Sequence, residues 1–448
     1  MFEASQDTRT FPAFPREDRG WSQRSSVGSL LLPAIRGSEQ DPRRPSATTT
    51  PDTPGAPRPA IPMQTSPTDP DSAPSILVDR DLLSSLGTVL RPGPGAPEIA
   101  RSQVQPASVD LRLGQKAHRI RAGFLPGRVP VEERLATLGS VALDLNGDGA
   151  VLEKGLVYLI PLEEELALPP GVRARFNPRS STGRCDLFTR VLVPGHPRFD
   201  EAPEGYSGPL WLEVSPLSFP VRLHRGDRLC QVRLSRGDAS LTTDELRAIY
   251  EDTPLCFDGD RPLGVDEVRF DHAGGLEMRV GLAGRDPAGW RAAPHTAAVR
   301  FAESGVHDPA EFWEAVHAPK GHCILAPGSF YLFASRERLR IPPHLAAEML
   351  PVDIGIGELR NNYAGFFDNG FGWEEDEQGR PAGCGTPAVL EVRAHDVPFL
   401  VEDGQVFFRL QFFRTDGRPD QLYGMGRSGG SYRGQDLTLA RAFRPPAP

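Results

Sequence analysis

Cysteine is scarce in this chain: Cys185, Cys230, Cys256, Cys323 and Cys384 are the only five among 448 residues. Their number is odd and no two are spaced C-x-x-C, so neither a disulfide framework nor a cysteine-based zinc site is indicated. Small reduced thiols in a cytoplasmic protein are the expectation. Apolar runs of membrane-spanning length are missing, as is a basic-then-apolar leader, so no membrane partner is expected. Positive charge is in deficit, with a formal net charge of −9. That speaks against a general nucleic-acid binder, which usually carries a basic stripe. Long helical patterns are few. Short leucine-rich and β-branched runs are broken by 46 glycines and 46 prolines, which predicts a mostly β fold.

What the chain does contain begins with a tail. Residues 1–74 are rich in Pro, Ser, Thr, Arg and Asp and hold too little apolar surface to offset the entropy of ordering, so they are expected to be disordered. Two helix starts stand out. Thr242 with Glu245 makes a capping box ahead of Leu246–Tyr250, and Asp308, Pro309 and Glu311 predict a helix over Phe312–Val316.

The ordered remainder repeats itself. Val109-Asp110-Leu111-Arg112-Leu113-Gly114 is echoed by Leu276-Glu277-Met278-Arg279-Val280-Gly281. Leu168-Pro169-Pro170-Gly171-Val172 is echoed by Ile341-Pro342-Pro343-His344-Leu345, and Trp211-Leu212-Glu213-Val214 by Val389-Leu390-Glu391-Val392. Gly226 and Gly404 follow their glutamates at the same distance. Repeat one is assigned to 75–238 and repeat two to 239–448.

One segment breaks the symmetry. Arg179-Ser180-Ser181-Thr182-Gly183-Arg184 gathers two guanidiniums, three hydroxyls and a glycine, the donors and close backbone approach that a phosphorylated ligand demands. Aligned on the Pro-Pro pairs, repeat two has Val352-Asp353-Ile354-Gly355-Ile356-Gly357 there, without those donors. Further on, Tyr363–Trp373 reads as a hairpin turning at Asn369-Gly370.

These residues, with Gln105–Gly114 and the terminal Ser431-Tyr432-Arg433-Gly434-Gln435, resemble the dCTP deaminase branch of the dUTPase-like β fold. The resemblance implies two tandem dUTPase-like distorted barrels or jelly rolls with a few short helices. It also implies hydrolytic deamination of dCTP to dUTP and ammonia without zinc, with Mg2+ arriving on the triphosphate. The H-x-E and P-C-x-x-C apparatus of zinc deaminases is absent from the sequence. The family uses a glutamate to move protons, a Ser and an Arg beside it (here Ser180 and Arg184), and a tail that closes over the nucleotide. If the site joins repeat one's donors to repeat two's carboxylates, Glu391 is the catalyst. Arg179, Ser180, Ser181, Thr182, Gly183, Arg184, Asp368, Val389, Leu390, Tyr423, Tyr432, Arg433 and Gln435 then bind substrate. Reading His196-Pro197-Arg198-Phe199-Asp200 as the base-binding hairpin keeps Glu213 as the alternative catalyst. A dUTP pyrophosphatase, a bifunctional enzyme and an inactive nucleotide-binding module remain alternatives in function; a monomer and a homo-oligomer such as a trimer remain so in assembly.

Overall fold

The computed structural model describes residues 73–125, 127, 129–271, 274–351, 359–361, 365–394, 396–425, 432 and 434–446. The tail expected over 1–74 thus lies outside the described residues as far as position 72, as do Val352–Gly357, Arg427–Gly430 and Arg433. The described residues all belong to one unit, Met63–Pro448. Strands dominate, and no helix among the described residues is long and apolar enough to cross a membrane.

Repeat one is built on β1 (Val109–Leu111), β2 (Val157–Ala167), β3 (Val172–Pro178), β4 (Leu187–Leu192), β5 (Ser207–Pro216) and β6 (Cys230–Arg236). Its counterparts in repeat two are β7 (Gly275–Gly281), β8 (Phe330–Leu339), β9 (Leu345–Pro351), β11 (Thr386–Ala394) and β12 (Val406–Arg414), with the short β10 (Phe366–Phe367) between β9 and β11. The pairings match one for one. β6 takes β1 and β3 as neighbours, and β12 takes β7 and β9. β5 pairs with β2 and β4, while β11 pairs with β8 and the segment Leu359–Asn361.

The duplication reaches individual hydrogen bonds. Arg112 donates its backbone N–H and its Nε to Glu164, at 2.7 and 2.6 Å, and Arg279 does the same to Glu337. Both glutamates are buried, so each guanidinium supplies the compensating charge that burial of a carboxylate requires. Gly226, at φ 85°, donates to the Leu113 carbonyl; Gly404, at φ 78°, donates to Val280 in the same way. A side chain at either turn would be strained in that left-handed conformation, which is why both echoes end on glycine.

Each repeat has its own apolar centre, one around Ile160, Phe176, Leu212 and Val232, the other around Met278, Phe333, Leu390 and Phe408. The boundary is crossed where Val221–Leu223 pairs in parallel with Val299–Arg300. There Phe219 meets Phe312, Trp313 and Phe443 with ring centroids 5.2–6.3 Å apart, so the carboxy-terminal segment closes repeat one's core.

Two local expectations are corrected. The capping box at Thr242 and Glu245 starts the helix Thr243–Asp252, but the Asp308 cap, accepting from the Ala310 N–H, starts only a single 3-10 turn, Pro309–Glu311. The chain then continues as a strand, Trp313–Val316, paired with Gly289–Ala292, because burying Trp313 in the aromatic cluster overrides local helix preference. The Asn369-Gly370 turn exists, with Gly370 at φ 85°, but among the described residues its flanks do not pair with each other. Phe366–Phe367 pairs with Ala347 and Glu348 on β9, and Phe371 accepts from the Ile341 N–H.

Candidate active site

At the end of β3, Pro178 cannot donate to the ladder, and the chain leaves the sheet through one helical turn, Ser180–Gly183. Arg179 is fixed by a 3.1 Å ion pair from its Nε to Asp110, on β1. Arg228 stands 3.7 Å from the same carboxylate. Asp110 is fully buried, and burial raises its pKa against the pull of the two guanidiniums. The Thr182 hydroxyl donates to the Leu229 carbonyl at 2.7 Å, so it anchors the turn.

A cavity faces this turn from the other repeat. Its lining includes Arg179, Ser180, Ser181, Gly183 and Arg184 from repeat one, with Phe366, Asp368, Val389, Glu391, Tyr423, Tyr432 and Gln435 from repeat two. Gln105, Asp110, Pro178 and Gln231 complete its repeat-one wall, and Met349, Gly365, Phe367 and Phe371 the opposite one. Leu390, between two lining residues, turns into repeat two's core, as strand alternation requires.

Glu391 is buried in that wall. Removal from water pushes its pKa up to about 8; the Arg184 guanidinium pulls it back and the Asp186 carboxylate adds to the rise. The carboxyl therefore keeps its proton at neutral pH. A buried, shifted carboxyl in a cleft beside fixed cations is the arrangement that acid-base chemistry calls for.

The tail residues close one side. Arg184 donates from Nη2 to Gln435 Oε1 at 2.7 Å and from Nη1 to the Thr438 carbonyl at 2.8 Å, and its guanidinium lies 3.7 Å over the Tyr432 ring. Ser181 Oγ and the Tyr432 hydroxyl are 2.7 Å apart, and Gln435 donates to the Pro387 carbonyl. Tyr423 packs half-buried against Phe371, and loss of water around its hydroxyl raises its pKa. Asp368 is committed elsewhere. Its Oδ1 holds Arg233 at 2.7 Å and its Oδ2 accepts from Ser108 at 3.1 Å, ties that join the repeats behind the pocket.

Glu213 is not among the lining residues. It pairs with Arg190 of β4 at 2.5 Å, and a Cβ at Gly123 would come within 2.2 Å of its Oε2, so the chain lies directly on that carboxylate. The sequence reasoning assigned no site role to Asp110, Arg233 or Asp186. Asp110 carried a usable signal, since it sits in the first echo beside the paired Arg112.

A mostly β, duplicated fold with a polar cavity between its repeats, cationic on one side and holding a carboxyl of raised pKa on the other, has the features that suit a phosphorylated small molecule. Residues 94–238 match the family described as the 2'-deoxycytidine 5'-triphosphate deaminase N-terminal domain, and residues 242–443 its C-terminal domain. The chain belongs to the 2'-deoxycytidine 5'-triphosphate deaminase family. It is similar to a solved 2'-deoxycytidine 5'-triphosphate deaminase from Agrobacterium tumefaciens at 40% identity and a TM-score of 0.69, over 78% of this chain and 99% of that one. Among curated relatives, a dCTP deaminase of Haloarcula marismortui is 31% identical over 43% of this chain and 86% of its own. A dUMP-forming dCTP deaminase of Coprothermobacter proteolyticus is 29% identical over 34% of this chain and 76% of its own.

Proposed function

We propose that the chain deaminates dCTP hydrolytically in the cavity between its repeats, with Glu391 as the proton-transferring residue. The observation that carries this reading is the pairing of Glu391 with Arg179–Arg184 in one pocket while Glu213 is occupied by Arg190 outside it. The chemistry closes on a carboxyl that starts protonated. Glu391 gives its proton to N3 of the cytosine, which makes C4 electrophilic, and the carboxylate so formed takes a proton from the water that attacks C4. Returned to the amine, that proton lets the C4–N4 bond break and ammonia leave; the carboxylate then takes the proton of the C4 hydroxyl, giving the uracil carbonyl and restoring the acid.

Arg179 and the hydroxyls of Ser180 and Ser181 line the cavity with Arg184 and Glu391, and this reading assigns them to the phosphate oxygens. Val389 and Phe366 offer apolar walls for the base, and the Gly365–Phe366 backbone offers polar groups to its edge. Tyr432 and Gln435 belong to the closing tail, and Arg433 is assigned to the same lid from sequence. Zinc plays no part in this scheme, in keeping with the missing zinc-deaminase motif. Magnesium would come with the triphosphate, held mainly by phosphate oxygens and water, and would offset charge there. The cytoplasm, where thiols stay reduced, is the compartment this reading assigns. Both halves of the pocket come from one chain, which supports a self-sufficient protomer.

Incubation with dCTP should release ammonia and dUTP, and Glu391→Gln should stop it while Glu213→Gln does not. Equal loss in both variants would overturn the assignment. Chromatography of the product separates dUTP from dUMP with pyrophosphate and so decides between the simple and the bifunctional enzyme.

A further inference from the structure

We propose that Asp186 and Arg393 form a latch that sets the gap between Arg184 and Glu391, which makes Asp186 a positioning residue for the reaction. The inference rests on the function proposed above. Arg184 and Asp186 lie two residues apart in repeat one, and Glu391 and Arg393 lie two apart on β11, so Glu391 and Arg393 project from the same face of that strand. The two pairs are crossed in charge. Asp186 meets Arg393 directly, whereas Arg184 and Glu391 both line the cavity and interact through their charges.

The latch is built into the backbone. Asp186 is fully buried and sits at φ 51°, a left-handed conformation that aspartate tolerates better than most residues. Its N–H donates to the Gly183 carbonyl at 2.8 Å, its own carbonyl accepts from Leu217 at 3.0 Å, and its Oδ2 accepts from the Ser218 hydroxyl at 2.6 Å as well as from Arg393. Arg393 also reaches Ser218 Oγ, at 3.4 Å, and the Gly328 carbonyl. The carboxylate of Asp186 is thus rigid on the repeat-one side, and its grip on Arg393 holds β11 two residues from the catalytic carboxyl. Repeat one has Ser215 at the position two residues beyond Glu213, so its own glutamate has no such latch. Besides Asp186 and Arg393, the charged and titratable groups around the Glu391 pocket are Arg184, Arg179, Asp110, Asp368, Tyr423 and Tyr432, none of which the Asp186 variants alter chemically.

The test compares Asp186→Gly, Asp186→Asn, Arg393→Gln and the Asn/Gln double variant with wild type. Glycine suits φ 51°, so Asp186→Gly separates loss of the latch from backbone strain. With the latch broken, kcat for dCTP should fall about 10- to 100-fold with KM changed less than about threefold. The alkaline limb of the kcat profile should move to lower pH, because a negative neighbour is gone and Arg393 is released. The double variant should be no worse than either single one. Independently of turnover, the carboxyl 13C signal that Glu391→Gln removes should titrate at lower pH in Asp186→Asn. An unmoved titration, additive losses, or a rise in KM alone would overturn the latch. A wild type that releases no ammonia from dCTP, with the 13C shift still present, would overturn the function and leave the latch standing.

Discussion

β5 and β11 carry the same Leu-Glu-Val core at the same place in their sheets, yet their glutamates have opposite fates. Glu213 is 3% exposed and Glu391 is 6% exposed, so burial does not distinguish them. The neighbours do. Glu213 has a guanidinium at 2.5 Å and a glycine backbone against it, which makes it a satisfied structural ion pair. The guanidinium nearest Glu391 in charge terms, that of Arg184, is engaged by Gln435, Thr438 and Tyr432, and burial outweighs its pull and raises the carboxyl pKa. On the proposed reading, a duplicated strand serves catalysis in one copy and structure in the other according to where the nearest arginine is anchored.

The largest effect that would break this comparison is on turnover. Glu391→Gln should lower kcat for dCTP by about 10³-fold or more, the scale of a lost general acid-base, while Glu213→Gln should stay within about threefold of wild type. An ammonia-release assay on the pair decides it. Next in size is Arg184→Lys. Lysine keeps the charge but cannot bind Gln435 and Thr438 at once in a planar fork, so kcat/KM should fall about 10²-fold. Arg190→Lys, at the silent copy, should leave kcat/KM nearly unchanged.

Stability should separate the glutamates in the opposite sense. Glu391 has a folded-state pKa of about 8, above its unfolded value of 4.5, so the unfolded chain binds fewer protons between those limits. The carboxyl therefore costs the fold nothing below the lower value and progressively more as pH rises to the upper one. Glu391→Gln should leave Tm unchanged near pH 4.5 and raise it by about 2–5 °C at pH 8.5, read by scanning calorimetry. Glu213→Gln should lower stability by about 1–2 kcal/mol at pH 7, since Arg190 loses its partner but stays partly solvated against Phe199.

Much of this contrast was legible in the chain. The three ordered echoes predicted the paired strands, and the donors kept in Arg179–Arg184 but lost from the second copy pointed across the repeat boundary to Glu391. What stayed hidden depends on contacts between residues far apart in sequence. Nothing local marks Arg190 as the partner of Glu213, and nothing marks Asp368 as the partner of Arg233 rather than of a base. The supposed strand hairpin at Asn369-Gly370 failed for the same reason: the turn chemistry was right, but β9 captured Phe366–Phe367. Local signals set turns and strand periodicity, whereas partner choice is set by what the assembled fold brings near.

The smallest expected effect concerns the tail, which bridges the two repeats at the cavity. Tyr432 touches repeat one in two ways, through its hydroxyl to Ser181 and through its ring beneath Arg184. Tyr432→Phe removes the first and keeps the second, a loss of about 1 kcal/mol, so kcat/KM should fall about 5-fold with the pH profile unmoved. Tyr432→Ala removes both contacts and frees Arg184 to approach Glu391. That should deepen the loss and move the alkaline limb to lower pH, because a nearer guanidinium favours the carboxylate. Equal profiles for the two variants would mean that Gln435 and Thr438 alone hold Arg184 away, and the ring would then serve closure of the tail rather than the protonation of Glu391.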